Sequence, residues 1–315
     1  MDIPDISNKV VVVTGGAGFI GSHLSDGLLA RGAKVRVLDN FETGRRENLA
    51  HLQGKIELIE GDIRELETCQ RALEGADFVL HQAALGSVPR SMATPANSLA
   101  TNVGGTANIF TAARDQKVQR VVYASSSSVY GTSDKLPKRE GEEGEPMSPY
   151  ALSKWMNEEL ARTYARCYDM ELVGLRYFNV YGPRQDPNGA YAAVIPRFFA
   201  ACRRGEAPAI FGDGMQSRDF TFIDDVVRAN LLAMTASGAP GAAYNIGAGG
   251  RTTVKDLAET IIKVTGFAGT PAYQDPRPGD VKHSMADASR AKAGFGWEAT
   301  TDLETGLASA AEYYV

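Results

Sequence analysis

The chain has 315 residues, of which 43% are hydrophobic and 23% are charged, a balance typical of a globular protein that buries a full core without disulfides or metals. Its formal net charge of −5 argues against a nucleic-acid partner, because neutralising phosphates requires clustered Lys and Arg. Three scattered cysteines and four dispersed histidines form neither a disulfide framework nor the ligand spacing of a metal site, so we expect no metal.

The sequence gives no indication of a targeting or membrane-spanning segment. The first residues, Met1-Asp2-Ile3-Pro4-Asp5, are acidic and lack the basic stretch of a secretory signal. No apolar run approaches the roughly 18 residues that a membrane helix requires. We therefore expect a cytoplasmic protein without a membrane partner.

Strands and helices are predicted to alternate through the first half of the chain. The β-branched run 10–13 predicts a strand buried on both faces, as in parallel sheets. A helical pattern over about 19–31 ends at Gly32, and 34–38 predicts the next strand. Further strands are predicted at 56–59, 78–80, 121–124 and 172–175, and further helices at 66–73, 102–116 and 149–168. This rhythm predicts an α/β fold with a doubly wound parallel Rossmann sheet.

The pattern changes after about Arg176, where Gly and Pro become denser. Shorter and less regular helices with long loops are expected there, forming a smaller, interleaved α/β substrate lobe. We predict a Rossmann domain over 1–176 and the substrate lobe over 177–315. A helix at 224–234 and a strand at 243–246 suggest that parts of about 220–248 return to the first domain.

A glycine-rich turn follows the first predicted strand. Gly15, Gly18 and Gly21 have the spacing Gly-x-x-Gly-x-x-Gly between a buried strand and a helix. Glycines there permit a tight turn and let backbone N–H groups approach a pyrophosphate, which the helix N-terminus then stabilises. The turn predicts a dinucleotide site.

Asp39 ends the second strand, at the distance from the glycines where an acid meets a ribose. Its carboxylate would accept bonds from both adenosine ribose hydroxyls and repel a 2′-phosphate, which favours NAD over NADP. Residues 1–176 are therefore the predicted NAD-binding domain. Arg45 and Arg46 leave NADP open, and Asp39 could instead be an ordinary turn acid.

Polar and small residues also end the third and fourth strands. Asp62 and Ile63 follow the third strand, and Gln82, Ala83 and Ala84 follow the fourth. Ligands of open α/β sheets lie at the carboxyl ends of the strands, so these residues are candidate cofactor contacts. Ordinary loop roles would explain them equally well.

The helix that begins after Ser148 carries the candidate catalytic pair. Ser148 and Pro149 are a good helix start, and Tyr150 and Lys154 then lie four residues apart on one face. We expect the Lys charge, with the positive nicotinamide of NAD, to lower the Tyr150 pKa so that the phenolate accepts a proton while hydride leaves the same carbon.

Four serines, 125–128, end the preceding strand and distinguish this pair from a chance surface pairing. Hydroxyls at a strand's carboxyl end point into the cofactor cleft. One of them can hold the reacting oxygen and relay its proton. The alternative is that they satisfy backbone groups in a turn.

These motifs resemble those of the extended short-chain dehydrogenase/reductase family, in its nucleotide-sugar epimerase/dehydratase branch. The resemblance lies in residues 14–21, 39–41, 125–130, 150–154, 175–183 and 277–280, and it extends over nearly the whole chain. It implies catalysis by Ser126, Tyr150 and Lys154, with Ser127 in support. It also implies NAD and a UDP-sugar as bound molecules.

The resemblance completes the expected binding sites. The expected NAD contacts are Gly15, Gly18, Phe19, Ile20, Gly21, Asp39, Asn40, Phe41, Gly44, Asp62, Ile63, Gln82, Ala83, Ala84, Asn102, Ser125, Tyr150, Lys154 and Tyr177. The expected substrate contacts are Gly86, Ser87, Ser126, Asn179, Gln185, Ala193, Val194, Ile195, Arg218, Arg277, Asp280 and Ser284. Among them, Arg218 and Arg277 would clamp the diphosphate and Asp280 would hold the ribose; spacing alone would favour surface ion pairs for both arginines.

The strand end also favours one reaction of the branch. Dehydratases of this branch carry Thr-Asp-Glu where this chain has Ser126-Ser127-Ser128, so no acid there can drive the loss of water. We also identify no carboxylate-positioning set of a sugar-acid decarboxylase. Oxidation followed by re-reduction, hence C4 epimerisation, is the expected reaction.

The sugar is indicated by one small residue. Segments 84–91, 184–193 and 277–284 are similar to those of bacterial UDP-N-acetylglucosamine 4-epimerases, and Ser284 stands where enzymes restricted to unacetylated sugars carry a bulky tyrosine. Gly86, Ser87 and Gln185 would border the acetamido group. UDP-glucose/UDP-galactose or UDP-N-acetylhexosaminuronate epimerisation remains an alternative.

Other classes of protein remain open as well. A non-catalytic NAD-sensing Rossmann protein would usually lack the Tyr–Lys pair, and a stoichiometric dehydrogenase would consume NAD. Apolar stripes on helices 95–116 and 149–168 imply, by the resemblance, a homodimer through a four-helix bundle. Burial against the sheet of the same chain would also explain the stripes.

Overall fold

A computed structural model of the protein describes residues 5–188, 192–276 and 282–314. Its strands are β1 (Val10–Thr14), β2 (Lys34–Asp39), β3 (Glu57–Glu60), β4 (Phe78–His81), β5 (Arg120–Ser126), β6 (Leu172–Tyr177), β7 (Val180–Tyr181), β8 (Ala209–Phe211), β9 (Ser217–Arg218), β10 (Thr221–Phe222), β11 (Ala243–Ile246), β12 (Thr252–Thr253) and β13 (Ala272–Gln274). Its α-helices are α1 (Phe19–Leu29), α2 (Leu66–Leu73), α3 (Val88–Ala93), α4 (Pro95–Leu99), α5 (Gly105–Asp115), α6 (Pro149–Tyr168), α7 (Val194–Arg203), α8 (Ile223–Thr235), α9 (Val254–Thr265), α10 (Ser289–Phe295) and α11 (Leu303–Tyr314). Two 3₁₀-helices span Arg46–Leu52 and Ser127–Tyr130, and a π-helix spans Ala100–Gly104.

Seven strands form one parallel sheet in the order β11-β6-β5-β4-β1-β2-β3. The predicted doubly wound α/β fold is thereby confirmed. Strand order reverses at β1, so the crevice at the carboxyl ends of β1 and β4 is the place where such folds bind ligands.

Alternating strand residues face the two layers of helices. Val12 and Val79 pack in the cluster that includes α2 and α5, whereas Val11 and Val13 pack in the larger cluster that includes α1 and α8. Each of these valines is fully buried. Burial on both faces explains why β1 is a continuous β-branched run.

The second half of the chain carries more regular helices than the glycine and proline content predicted. Helices α7, α9 and α11 pack on one another, and α8 spans 13 residues against 11 in α1. Three two-stranded sheets, β7–β10, β9–β12 and β8–β13, accompany them. Strand β11 leaves this half to pair in parallel with β6.

None of the helices in the described ranges is both long and apolar enough to cross a membrane.

Candidate active site

The glycine turn lies between β1 and α1 and is closed to side chains. Gly15 has φ +67°, and a Cβ there would lie 2.7 Å from the backbone nitrogen of Ala83. A Cβ on Gly21 would lie 2.2 Å from the Gly15 carbonyl oxygen. Gly18 caps α1 with no side-chain hydrogen bond. The turn therefore presents the N-terminus of α1 as a site for an anion.

Asp39 lies beside this turn and is only 7% exposed. Its Oδ2 accepts a hydrogen bond from the Ala17 N–H (2.9 Å) and its Oδ1 accepts one from the Phe41 N–H (2.8 Å). Burial raises the pKa of the carboxyl, and these two bonds oppose the rise. A Cβ on Gly44 would lie 2.8 Å from Oδ1, so a glycine is required next to the carboxylate.

The two arginines that left NADP open both lie near carboxylates. Arg46 pairs with Glu60 at 2.6 Å, and its guanidinium lies 3.9 Å from the centroid of the Phe41 ring. Arg45 lies 3.6 Å from Glu47 and 3.8 Å from Asp186. This arrangement favours a 2′-hydroxyl over a 2′-phosphate at Asp39.

A cavity of about 360 Å³ joins the glycine turn to the N-terminus of α6. The expected cofactor contacts that line it are Gly15, Gly18, Phe19, Ile20, Gly21, Asp39, Asn40, Gly44, Ile63, Gln82, Ala83, Ala84, Ser125, Tyr150, Lys154 and Tyr177. It is also lined by residues that the sequence argument did not assign to the cofactor: Leu38, Glu42, Thr43, Gly61, Leu85, Gly86, Arg90, Thr101 and Ala124. Most of these follow or end strands of the sheet, which is the signal that could have identified them.

Three expected cofactor contacts, Phe41, Asp62 and Asn102, do not line the cavity. Asp62 is bound by Arg64 and Asn40, and the Arg64 bonds first of all lower its pKa to about 2. The Phe41 ring packs under Arg46. These side chains shape the loops around the cavity.

Asn102 supports the loop that follows β4, through hydrogen bonds to the backbone of Leu85. It is fully buried in the π-helix, its Oδ1 accepts from the Leu85 N–H at 2.8 Å, and its amide donates to the Leu85 carbonyl and to Ser153. Its capacity for hydrogen bonds is therefore largely used inside the protein.

His81 is a buried support that the sequence argument missed. Its Nδ1 lies 2.6 Å from Thr14 Oγ1 and its Nε2 lies 3.0 Å from Thr106 Oγ1. Burial lowers the His81 pKa to about 3, so the ring is neutral at physiological pH. It ties the ends of β1 and β4 to α5.

The start of α6 positions the candidate catalytic pair. Ser148 Oγ accepts from the Ala151 N–H at 3.1 Å, and Pro149 occupies the first turn. Lys154 is 4% exposed, and its Nζ donates to the Ala124 carbonyl at 2.8 Å and lies 6.0 Å from the centroid of the Tyr150 ring.

The electrostatics of this pair differ in part from the expectation. Burial lowers the Lys154 pKa to about 8. Burial also raises the Tyr150 pKa, and a hydrogen bond with Ser126 opposes that rise. In the chain by itself burial therefore outweighs this hydrogen bond and the Tyr150 pKa is raised, while the lowering expected with NAD bound stays a prediction.

The four serines at the end of β5 have different surroundings. Ser125 lines the cavity and donates to Glu158 Oε1 at 2.6 Å. Ser126 contacts Tyr150, and its Oγ also accepts from the Ser128 N–H at 3.1 Å. Ser127 lies in the 3₁₀-helix and does not line the cavity, while the buried Ser128 Oγ has no partner among the described residues.

A second cavity, of about 270 Å³, lies in the other half of the chain. The expected substrate contacts that line it are Asn179, Gln185, Ala193, Val194, Ile195 and Arg218. Residues missed by the sequence argument include Phe211 at the end of β8, Gln216 before β9, Phe220 before β10 and Val254 at the start of α9.

Two residues of this second cavity have unusual surroundings. Asn179 has φ +30° and donates to the Asp219 carbonyl at 2.9 Å. The Gln185 amide donates to the Val180 carbonyl at 3.3 Å, whereas its buried Oε1 has no partner among the described residues. This oxygen can accept an N–H from a ligand.

The remaining expected substrate contacts lie apart from the second cavity. Gly86 lines the first cavity, and a Cβ there would meet nothing within 4 Å. Ser87 caps α3 by accepting from the Arg90 N–H. Ser284 donates its N–H to the Ser217 carbonyl and lines neither cavity. Arg277 and Asp280 lie outside the described residues.

Across the described parts of the chain, no group of side chains has the composition of a metal site.

Comparison with known proteins finds similarity to one family and to nucleotide-sugar epimerases. Residues 11–247 match the model of the NAD dependent epimerase/dehydratase family. A putative UDP-glucose 4-epimerase of Methanocaldococcus jannaschii is 39% identical, over 95% of this chain and 96% of the relative. The UDP-glucose 4-epimerase of Thermotoga maritima, solved with UDP-glucose, is 40% identical with a TM-score of 0.92, covering 96% of this chain and 98% of that one.

A third similar protein is named as an epimerase of an acetamido sugar. The UDP-N-acetylglucosamine 4-epimerase of Methanobrevibacter ruminantium, solved with UDP-N-acetylmuramic acid, is 38% identical with a TM-score of 0.93, covering 98% of each chain.

Proposed function

The chain belongs to the NAD dependent epimerase/dehydratase family, and from this premise we propose that it interconverts UDP-N-acetylglucosamine and UDP-N-acetylgalactosamine by inverting C4. The predictions of this family and of an NAD-dependent enzyme are confirmed. The observation that carries the proposal is the cavity that joins the glycine turn and Asp39 to Tyr150 and Lys154.

The first cavity fits NAD. A glycine turn that admits no Cβ, an N-terminus of α1 without a side-chain cap and a buried carboxylate at Asp39 match a pyrophosphate and a ribose. NAD held by these residues would supply the hydride acceptor for oxidation of the sugar and the hydride donor for its re-reduction.

Tyr150 is the proposed base and acid. Its phenolate takes the proton of the C4 hydroxyl during oxidation and returns it during reduction. The Lys154 ammonium stabilises the phenolate by its charge, and Ser126 by a hydrogen bond. The keto sugar turns about its diphosphate between the two steps and presents its other face.

The surroundings of Tyr150 favour epimerisation over dehydration. The carboxylates that line the described part of the cavity are Asp39 and Glu42, at the end of β2 and beyond it. The end of β5 beside Tyr150 carries serines instead. Elimination of water would need an acid at that place, so the keto sugar is reduced again.

The second cavity is the proposed site of the nucleotide. Ala193, Val194 and Ile195 offer an apolar wall for the uracil, and Arg218 would clamp the diphosphate. Arg277 and Asp280 are proposed to complete this site, with contacts to the diphosphate and the ribose.

Three features support the acetamido sugar. Ser284 is small, Gly86 borders open space, and Gln185 Oε1, which has no partner among the described residues, can accept the acetamido N–H. One extra group in a pocket changes specificity by only about 1–3 kcal/mol, so UDP-glucose/UDP-galactose and the uronate of the acetamido sugar are the competing substrates.

The purified protein, offered UDP-N-acetylglucosamine and UDP-glucose separately without added NAD, tests the proposal. Product NMR is expected to show the acetamido pair interconverting, with turnover sustained because the cofactor is regenerated. Interconversion of the unacetylated pair alone would reject the acetamido sugar but keep the epimerase. Turnover that stops after one equivalent would indicate a dehydrogenase.

Tyr150→Phe tests the mechanism, with Tyr168→Phe at the exposed end of the same helix as its control. We expect turnover to fall by about 10²–10⁴ in Tyr150→Phe, the usual contribution of a general acid–base group, and to stay unchanged in the control. Full turnover in Tyr150→Phe would reject the mechanism, and no turnover in the wild type would favour a non-catalytic NAD-binding protein.

We further propose a homodimer in which the 95–116 helical segment and α6 of two copies form a four-helix bundle. Leu152 and Trp155, three residues apart on one face of α6, are each 38% exposed. Light scattering is expected to give a dimer for the wild type and a monomer for Trp155→Glu. Leu66→Glu, at a 37% exposed position of α2, should leave the dimer intact.

A further inference from the structure

Three consecutive residues at the end of β5 are each bound to one face of α6. Lys154 donates to the carbonyl of Ala124, Ser125 donates to Glu158, and Ser126 hydrogen-bonds Tyr150. Tyr150, Lys154 and Glu158 follow one another at intervals of four residues, so they share one face of the helix. Two of these links contain the catalytic pair, and the third contains Glu158.

Glu158 is fully buried, and both of its carboxylate oxygens are hydrogen-bonded. Its side chain is 1% exposed, and that of Arg176 on β6 is 4% exposed. Arg176 Nε donates to Oε1 at 2.9 Å, and a terminal nitrogen donates to Oε2 at 2.7 Å. Such a bidentate pair fixes the orientation of the carboxylate as well as its position.

Arg176 is itself fixed from the other side. It donates to Glu143, in the loop before α6, and to the Tyr130 hydroxyl at 3.0 Å. A buried ion pair adds little net stability, because desolvation offsets the attraction, and its best-attested use is to specify one arrangement. The arrangement specified here is that of α6 against the end of β5.

We propose that Glu158 is a positioning residue for the catalytic pair: held by Arg176, it fixes Ser125, and so sets the distance between Ser126 and Tyr150. The inference rests on the proposed role of Tyr150 as the proton-transfer group. Glu158 acts through Ser125 and does not line either cavity.

The consequence for the chemistry follows from the surroundings of Tyr150. Without the Ser125–Glu158 bond, the end of β5 can shift along α6, and the hydrogen bond from Ser126 weakens. That bond opposes the rise of the Tyr150 pKa caused by burial. The charged groups near Tyr150 on the packed elements are Lys154 of α6 and Arg90 of α3, which line the same cavity, and neither is altered by cutting the bond.

Two variants test the proposal on the NAD-loaded protein. Ser125→Ala removes the bond without a change of charge, and Glu158→Gln removes the charge at nearly constant volume. Glu159→Gln is the matched control, because Glu159 is the next residue, 41% exposed, and pairs with Arg162.

We expect kcat to fall about 10- to 100-fold in both variants, as for a small misplacement of reacting groups, with the KM for the UDP-sugar within about twofold of wild type. The acid limb of the pH profile should move to higher pH. Ultraviolet titration of the phenolate, with Tyr150→Phe subtracted, should show a Tyr150 pKa about one unit higher, the size of one hydrogen bond to a charged group. The control should match wild type in each measurement.

The outcomes separate the two proposals. Variants that unfold at a lower temperature but keep the wild-type kcat and the wild-type phenolate titration overturn the positioning role, since Glu158 is then structural only. A wild type that binds NAD but converts no UDP-sugar, while Ser125→Ala still raises the Tyr150 pKa, rejects the proposed function and keeps the positioning role. If Glu158→Gln fails to fold, Ser125→Ala alone decides.

Discussion

At the scale of single residues, Asp39 combines burial, charge and a place on the cofactor cavity. Its two oxygens accept N–H bonds from Ala17 and Phe41, and the side chain lines the first cavity. We expect Asp39→Asn to weaken NAD binding about 10- to 100-fold, because bonds to a charged acceptor contribute about 1.5–3 kcal/mol. Calorimetric titration with NAD and NADP measures this.

The same titration tests selectivity. Asp39→Asn should narrow the preference for NAD over NADP, since the repelling charge is gone. Asp115→Asn, a change of the same chemistry at an exposed helix end, should leave both affinities unchanged. An Asp39→Asn variant with wild-type affinity for NAD would show that this carboxylate is only a turn acid.

The lowered pKa of Lys154 predicts that the reaction slows at alkaline pH. Burial lowers its pKa to about 8, so its charge is present below that pH and is lost above it. Because the charge favours the Tyr150 phenolate, kcat should fall as pH rises through about 8. Lys154→Met should lose most activity together with this limb, and a wild-type profile that stays flat to pH 10 would contradict the assignment.

Site residues that belong to a short sequence motif were predictable from the sequence. Gly15, Tyr150 and Lys154 line the cavity as expected because the turn spacing and the helical spacing are local. Asp62 and Asn102 were not, because the partners that turn them away from the cavity, Arg64 and Leu85, depend on loop folding.

At the scale of elements, the junction of β1 and α1 depends on Gly21. We expect Gly21→Ala to lower the free energy of unfolding by about 1–3 kcal/mol, the usual cost of overpacking, and to abolish NAD binding. The reason is that its Cβ would lie 2.2 Å from the Gly15 carbonyl oxygen. Urea denaturation and NAD titration measure both effects.

Gly104 supplies the matched control for this substitution. It is helical, and a Cβ there would meet nothing of its own chain within 4 Å. Gly104→Ala should therefore raise the free energy of unfolding by about 0.4–1 kcal/mol through the unfolded chain. Equal losses in the two variants would show that the turn geometry is not the cause.

The ends of a helix were predictable from the sequence where a local signal marks them. Helices α2 and α6 begin and end as predicted, because apolar spacing and the Ser148 cap define them. Helix α9 was missed, although Thr253 caps it and the left-handed Gly266 ends it. The π-helix at Ala100–Gly104 has no side-chain cap that could predict it.

At the scale of the whole molecule, Asp225 fastens the C-terminal segment to α8. It is 1% exposed and accepts bonds from the Thr300 N–H (3.0 Å), the Thr300 hydroxyl (2.9 Å) and the Thr301 N–H (3.0 Å), with Arg228 at 2.9 Å. Burial raises its pKa, but these bonds outweigh burial and hold the pKa below its ordinary value.

This depressed pKa fixes the sign of a stability prediction. The carboxylate contributes stability above its unfolded pKa, and that contribution is lost as pH falls through the lower folded pKa. Asp225→Asn should lose about 1–3 kcal/mol of unfolding free energy at pH 7, and the deficit should shrink in acid. Urea denaturation at both pH values measures it.

Asp224 is the adjacent control with the opposite sign. Burial and the neighbouring Asp225 raise its pKa, so Asp224→Asn should keep or increase stability at pH 7. A loss in Asp224→Asn as large as in Asp225→Asn would contradict the argument.

The sheet was predictable at this scale because its buried β-branched strands recur between helices, and its parallel order is confirmed. The small sheets β7–β10 and β9–β12 were not, since two-residue strands carry no periodicity. Their pairing depends on residues far apart in the chain.

Strand β11 has a consequence for how the protein is made. It pairs with β6 in the seven-stranded sheet, although the chain passes through β7–β10, α7 and α8 before reaching it. During synthesis from the N-terminus, the outer edge of β6 therefore stays unpaired until residue 246 has emerged from the ribosome. Until then, other nascent chains can pair with this edge. A fragment that stops at residue 176 would keep that edge permanently, so we expect it to aggregate rather than to bind nucleotide as an independent module.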